Sequence, residues 1–186
     1  MIQAPKPPFK NLLFIGILML LFFTPLGKSL KVGVLRLISI SPSIEKVENQ
    51  QKITEYSGTI TNENGLQIPF ENYKNKPIII SFWATWCPSC IAEMPSLQKL
   101  YNDYKNSVSF LLITNDPKEK VQAFMQQKGY NMPVFYNEND LPSLLYSKSI
   151  PATFLIAPNG KIIIKKIGVA NWNSEQVRAT LNKIID

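Results

Sequence analysis

Between residues 54 and 186 the apolar positions change period several times, and each change marks an element. In "YSGTITNENGLQIPF" (56–70) short alternating runs flank Asn64-Gly65, the pattern of a β-hairpin. "PIIISFW" (77–83) is charge-free and β-branched, which predicts a strand covered on both faces. From Cys90 the period turns helical. Ile91, Met94, Leu97, Leu100, Tyr101 and Tyr104 fall on one side, and Glu93, Gln98, Lys99 and Asp103 fall elsewhere. "VSFLLIT" (108–114) is a second buried strand, so strand, helix and strand make a βαβ unit with parallel strands. Asp116 as N-cap, Pro117 at the first helical position and Gly129 as stop predict a helix over 116–129.

"MPVFYN" (132–137) reads as a short strand and "LPSLLYS" (141–147) as a short helix. "ATFLIA" (152–157) and "KIIIKKIG" (161–168) flank Asn159-Gly160 as an antiparallel hairpin. "NSEQVRATLNKIID" (173–186) ends the sequence as an amphipathic helix capped by Asn173 or Ser174. Together these elements predict an α/β fold, a mixed central β-sheet with helices on both faces and a hairpin extension at its N-terminal side. "KNKP" (74–77) and "NEND" (137–140) read as solvated loops.

Ahead of this domain the pattern is different. "LLFIGILMLLFFTPL" (12–26) carries no charge and lies between Lys10 and Lys28. As a helix it reaches roughly 22 Å, against a hydrocarbon core of roughly 30 Å. Signal-peptide cores have this length and these basic flanks. No A-x-A-like site follows, which favours an uncleaved anchor over a cleaved signal. The second apolar stretch, "LKVGVLRLISI" (30–40), is expected to extend the anchored segment or lie at the interface. The expected organisation is therefore a signal or anchor over 1–40, a polar tether over 41–53 and one domain over 54–186. It places the domain outside the cytoplasm, on the periplasmic side, with residues 11–26 holding it to the inner membrane.

Charge fits this division. The chain has a net charge of +7, yet residues 1–36 hold Lys6, Lys10, Lys28, Lys31 and Arg36 and no acid. The other 150 residues carry 15 basic and 13 acidic side chains, too even a balance for a basic nucleic-acid face.

Only two cysteines are present, Cys87 and Cys90, at the junction of the first buried strand and the first long helix. As a structural staple, so short a loop contributes on the order of 2 kcal/mol, which a domain of this size scarcely needs. Structural zinc wants four Cys or His ligands, and the chain has no histidine. That absence also removes a Cys–His nucleophile pair. A redox pair fits the position. Pro88 suits the first helical turn, and the N–H groups and macrodipole at a helix N-terminus stabilise a Cys87 thiolate. Cys87 would attack a disulfide and Cys90 would resolve the mixed disulfide. No cofactor is implied.

"SFWATWCPSCIAEMPSLQKL" (81–100) resembles the thioredoxin superfamily, and within it the membrane-tethered thiol–disulfide oxidoreductases of the TlpA/ResA kind. Glu93 and Pro95, after the cysteines, narrow the resemblance to that subgroup, and "SIPATFLIAPNGKI" (149–162) resembles its cis-proline loop and terminal hairpin. The resemblance spans roughly residues 55–186 and implies a three-layer thioredoxin-like fold. It implies a cis Ile150–Pro151 bond, although an ordinary turn proline also fits the residues. It gives Glu93 the role of taking a proton from the resolving thiol, while the helical pattern is met equally by a solvated position. Trp83 is expected in the core. Trp86, Pro88, Ile150 and Pro151 are expected to meet the client.

One departure stands out. Thioredoxins proper carry a buried aspartate where this chain has Ser81, and serine cannot accept a proton at neutral pH. That leaves Glu93 as the candidate base. The implied partners are a client protein with a disulfide or dithiol, a membrane redox protein that recharges the pair, and the membrane itself through the N-terminal segment. The resemblance implies reduction of protein disulfides, for example in cytochrome c maturation, with an oxidase or isomerase in disulfide formation as the alternative. A thiol peroxidase is disfavoured because Ile80 and Ala84 occupy its Pro and Thr positions.

Overall fold

The structure is a computed structural model that describes residues 9–185; side chains at 9, 10, 18, 20–23, 25, 26 and 137–139 lie outside the description. Lys6 lies outside the described residues and the Lys10 side chain falls in that excluded set; residues 137–139, expected in a solvated loop, instead continue the strand Val134–Asn139 and pair with the strand Thr59–Asn62. Seven strands form one mixed sheet: β1 (Thr59–Asn62), β2 (Gln67–Pro69), β3 (Ile78–Phe82), β4 (Ser109–Thr114), β5 (Val134–Asn139), β6 (Ala152–Ile156) and β7 (Ile162–Ile167). Their spatial order is β2-β1-β5-β4-β3-β6-β7. β3, β4 and β5 run parallel, joined by the helices α3 (Pro88–Tyr104) and α4 (Lys118–Lys128), as the βαβ pattern requires. β6 is antiparallel to β3, and β7 to β6. The β1–β2 hairpin docks on β5, completing the predicted α/β architecture.

Alternation along the central strands divides the core. Ile79, Phe110, Leu112 and Leu155 face a cluster built with α3, α4 and α5 (Glu175–Ile185), where Leu97, Leu100, Val121, Val177 and Leu181 are buried. Ile78, Ile80, Leu111, Ile113 and Phe154 face the other way. There the cover is two short 3-10 turns, Phe70–Tyr73 and Ser143–Leu145, together with Ile53 and Tyr56. The stretch 141–147 is thus a single tight turn, not the expected short helix.

The N-terminal segment departs furthest from expectation. It forms two helices, α1 (Phe9–Phe23) and α2 (Pro25–Leu37), with a break at Thr24. Thr24 is extended and its hydroxyl oxygen accepts the Gly27 N–H, while Pro25 starts the new helix. Leu12, Leu13, Phe14, Ile15, Ile17 and Met19 of α1 are each more than half exposed. No helix among the described residues is long and apolar enough to cross a membrane. Residues 30–40 do not extend α1. In α2, Val32 is buried against Ile91 and Ala92 of α3, with Leu35, Phe124 and Val169 packed around them.

The expected tether is also engaged. The Glu45 N–H donates to the Ile163 carbonyl (2.9 Å), the Ile162 N–H to the Gln51 carbonyl (2.8 Å) and the Ile53 N–H to the Gly160 carbonyl (2.9 Å). Segment 45–53 therefore covers the edge of β7, whose backbone groups would otherwise be open to another strand. Gly160 makes the last contact possible. Its φ is +84°, and a Cβ there would stand 2.5 Å from the Ile53 oxygen.

Candidate active site

Cys87 closes the loop after β3 and serves as the N-cap of α3, with Pro88 as the first helical residue. Its sulfur accepts the Cys90 N–H at 3.2 Å, the donor that a helix start leaves unpaired. Cys87 and Cys90 form a disulfide with their Cα atoms 5.3 Å apart. The Ser89 hydroxyl lies 3.3 Å from the Cys87 sulfur. Cys90 is fully buried, whereas Cys87 retains a sliver of exposure at 4%. Attack from outside therefore reaches Cys87 only.

The Ile150–Pro151 peptide is cis, and the Ile150 carbonyl oxygen lies 3.8 Å from the Cys87 sulfur. The backbone of residue 150 thus borders the reacting atom. Trp86 is 58% exposed beside it, and Trp83 is buried in the core. Phe82, Trp86, Leu141, Tyr146 and Ile150 border a cavity of about 530 Å³ next to this corner. Trp86, Cys87, Ile150 and Pro151 are thus brought together, with Pro88 behind them in the first turn of α3.

Glu93 lies one turn beyond Cys90 and is 1% exposed, so the solvated position is not the one it takes. The β3–β6 register sets Ser81 opposite Thr153, and both reach the carboxylate. The Thr153 hydroxyl donates to Oε1 at 3.0 Å, the Ser81 hydroxyl reaches the same oxygen at 3.4 Å, and the Trp172 indole N–H donates to Oε2 at 3.4 Å. Burial pushes the Glu93 carboxyl up to about 8, against the lowering effect of hydrogen bonds from Thr153, Trp172, the Ala170 backbone and Ser81. Glu93 is therefore a buried carboxyl hydrogen-bonded beside Ser81.

Asp116 was expected to cap α4, but its carboxylate points elsewhere. Pro117 holds the cap position without a side-chain bond. Asp116 Oδ2 accepts the Thr85 N–H and the Thr85 hydroxyl, each at 2.7 Å, and Oδ1 accepts the Trp86 indole N–H at 3.1 Å. Three donors on the loop before Cys87 outweigh one orphan helix N–H. From the other side, the Lys28 ammonium of α2 donates to the Thr85 carbonyl at 3.4 Å. Ser174, of the two candidate caps for α5, is the one whose hydroxyl oxygen accepts the Val177 N–H; Asn173 instead takes Arg178.

Sequence reasoning missed Asp116, Thr153 and Trp172 as members of this site. Thr153 had a faint signal, a polar residue within an apolar strand that pairs with another such strand carrying Ser81. Trp172 had none, since it lies 79 positions from Glu93 in a loop.

This geometry meets its relatives in sequence comparison. The AhpC/TSA family matches residues 50–165. The chain belongs to that family. Its relatives include the thiol-disulfide oxidoreductase ResA of Geobacillus kaustophilus (strain HTA426), 30% identical over 128 residues, 67% of this chain and 72% of that protein. ResA of Bacillus subtilis (strain 168) is 32% identical over 124 residues, 65% of this chain and 68% of that protein. Among solved structures, a thioredoxin-family thiol:disulfide interchange protein from Chlorobium tepidum TLS superposes with a TM-score of 0.59 at 21% identity, over 73% of this chain and 98% of that one. A DsbF homologue from Corynebacterium diphtheriae gives 0.60 at 14% identity, over 77% and 92%. The fold is thioredoxin-like, and this family member is a thiol–disulfide oxidoreductase of the ResA kind.

Proposed function

We propose that the protein is an extracytoplasmic reductant of protein disulfides, held at the inner membrane through residues 11–26 and working in a setting such as cytochrome c maturation. The Cys87 thiolate attacks one sulfur of a client disulfide, and the other client sulfur leaves as a thiolate. Cys90 then gives its proton to Glu93 and attacks the Cys87 sulfur. The second client thiol is released and the Cys87–Cys90 disulfide forms. Two electrons pass to the client, whose two thiolates take their protons from Glu93 and from solvent, and a membrane redox partner must return two electrons to the pair.

The observation that carries this reading is the buried Glu93 one turn after the buried thiol. A carboxyl raised to about 8 is close to an unperturbed thiol, about 8.5, so proton transfer between them is nearly balanced. The direction rests on charge. Strong oxidants are those whose reduced form is stabilised. Here the Asp116 carboxylate, bonded to the Thr85–Trp86 loop just before Cys87, disfavours a negative charge on the pair. The exposed apolar side chains of α1 support the anchor. The name of the ResA relatives supports disulfide chemistry but leaves the client open.

The deciding experiment equilibrates the Cys87–Cys90 pair against glutathione buffers. A potential near about −270 mV supports the reductant, and one near about −120 mV would make the protein an oxidant of the disulfide-forming type and overturn the proposal.

A further inference from the structure

A second cavity, of about 240 Å³, opens between the C-terminal end of α2, the middle of α3 and the loop that follows β7. Arg36 and Ser39 line it from α2 and the residues just after it, Ser96 and Lys99 from α3, and Asn171 and Asn173 from the loop. No carboxylate is among its lining residues. Neither Arg36 nor Lys99 has an ion-pair partner among the described residues. The Ser39 hydroxyl is buried and has no hydrogen-bond partner among them.

The remaining polar groups tell the same story. The Asn171 side-chain oxygen accepts the Asn173 N–H, and the Asn173 side-chain oxygen accepts Arg178. The Ser96 hydroxyl donates to the Glu93 carbonyl and accepts the Trp172 N–H. These acceptors are engaged within the protein. The lining residues thus leave donors unmatched: the Arg36 guanidinium, the Lys99 ammonium and the orphan Ser39 hydroxyl. A buried hydroxyl without a partner costs free energy that a ligand oxygen would recover. Guanidinium and ammonium together suit an oxyanion with several lone pairs, and Arg suits phosphate in particular.

We infer that this cavity is a phosphate-binding site, filled by free phosphate or by the phosphate of an anionic lipid headgroup. The inference does not depend on the redox reading. It concerns a different face of α3 from the one that ends at Cys87, although Asn171 and Asn173 bracket Trp172, which holds Glu93.

The test uses the full chain in neutral detergent. Inorganic phosphate is titrated calorimetrically into the wild type, Arg36→Gln/Lys99→Gln, Ser39→Ala, and the charge-matched control Lys118→Gln/Lys120→Gln. A parallel arm measures flotation with vesicles of phosphatidylcholine alone or mixed with phosphatidylglycerol. The expected result is saturable binding weakened about tenfold or more by the first variant and about fivefold by Ser39→Ala, with the control unchanged. Binding of inorganic phosphate identifies the free ion as a ligand; a variant-sensitive preference for phosphatidylglycerol vesicles without it identifies the lipid. Wild-type behaviour of the cavity variants in both arms, or an equal loss in the control, overturns the site. If circular dichroism shows the double variant unfolded, Lys99→Gln and Ser39→Ala decide on the same criteria.

Discussion

Thr153 donates a 3.0 Å hydrogen bond to the carboxylate of Glu93, sixty residues earlier in the chain. The bond crosses from the strand that follows Pro151 to the helix that carries Cys90. It joins the two halves of the active site, and most of the expected chemistry depends on what it holds in place.

Replacing Glu93 by Gln keeps the size and a hydrogen-bonding oxygen but removes the base. Resolution of a mixed disulfide should slow about 10²-fold, while alkylation of Cys87 in the reduced protein changes little. The wild-type resolution rate should rise through a pH of about 8, and the variant should lose that inflection. Stopped-flow traces across pH 6 to about 9.5 would settle it, and an unchanged profile would remove Glu93 from the mechanism.

Glu93 also makes stability depend on pH. Its folded-state pKa, about 8, is raised above the unfolded value, so the folded state keeps a proton that the unfolded state has lost. Stability is therefore full below the unfolded carboxyl value and declines as pH rises toward about 8, by a few kcal/mol in order of magnitude. Urea unfolding of the oxidised protein at pH 5 and about 8 should show the decline. In Glu93→Gln the two curves should nearly coincide.

Asp116→Ala removes the acceptor for three donors on the Thr85–Trp86 loop. Loss of these charge-assisted bonds should cost about 2–3 kcal/mol in chemical unfolding and change the Trp86 fluorescence. Removing a carboxylate near the thiol pair should also move its potential toward the oxidising side. A potential unchanged against glutathione would separate the loop's positioning role from any electrostatic one.

Val32→Asp places an unpaired charge between α2 and α3. The expected outcome is release of α2, seen as faster tryptic cleavage at Lys28, Lys31 and Arg36, with the central domain still folded. Cleavage at the wild-type rate would mean that the buried contact with Ile91 and Ala92 adds little.

Local patterns carried the sheet well. The β-branched run at 77–83, the Asn-Gly turns and the helical period after Cys90 each report on neighbours in the chain, and each element formed close to its expected bounds. The Cys-Pro-Ser-Cys stretch was legible for the same reason. Asp116 was misread because capping rules weigh only local donors, whereas Thr85 and Trp86 arrive from another loop. The buried state of Glu93 was equally hidden, since it depends on the β3–β6 register and on Trp172. The N-terminal segment was hidden for another reason. The apolar positions of 30–40 call for cover from water without saying whether lipid or α3 supplies it, as α3 does for Val32.

The seam between residues 45–53 and β7 has a mechanical consequence. As a free coil, the thirteen residues from 41 to 53 would let the domain roam about 20 Å from its point of attachment. Hydrogen-bonded along the sheet, and preceded by a helix clasped to α3, they leave almost no slack. On the anchor proposed above, whatever holds α2 would fix the height and heading of the disulfide as well, and client proteins would have to come to a stationary port.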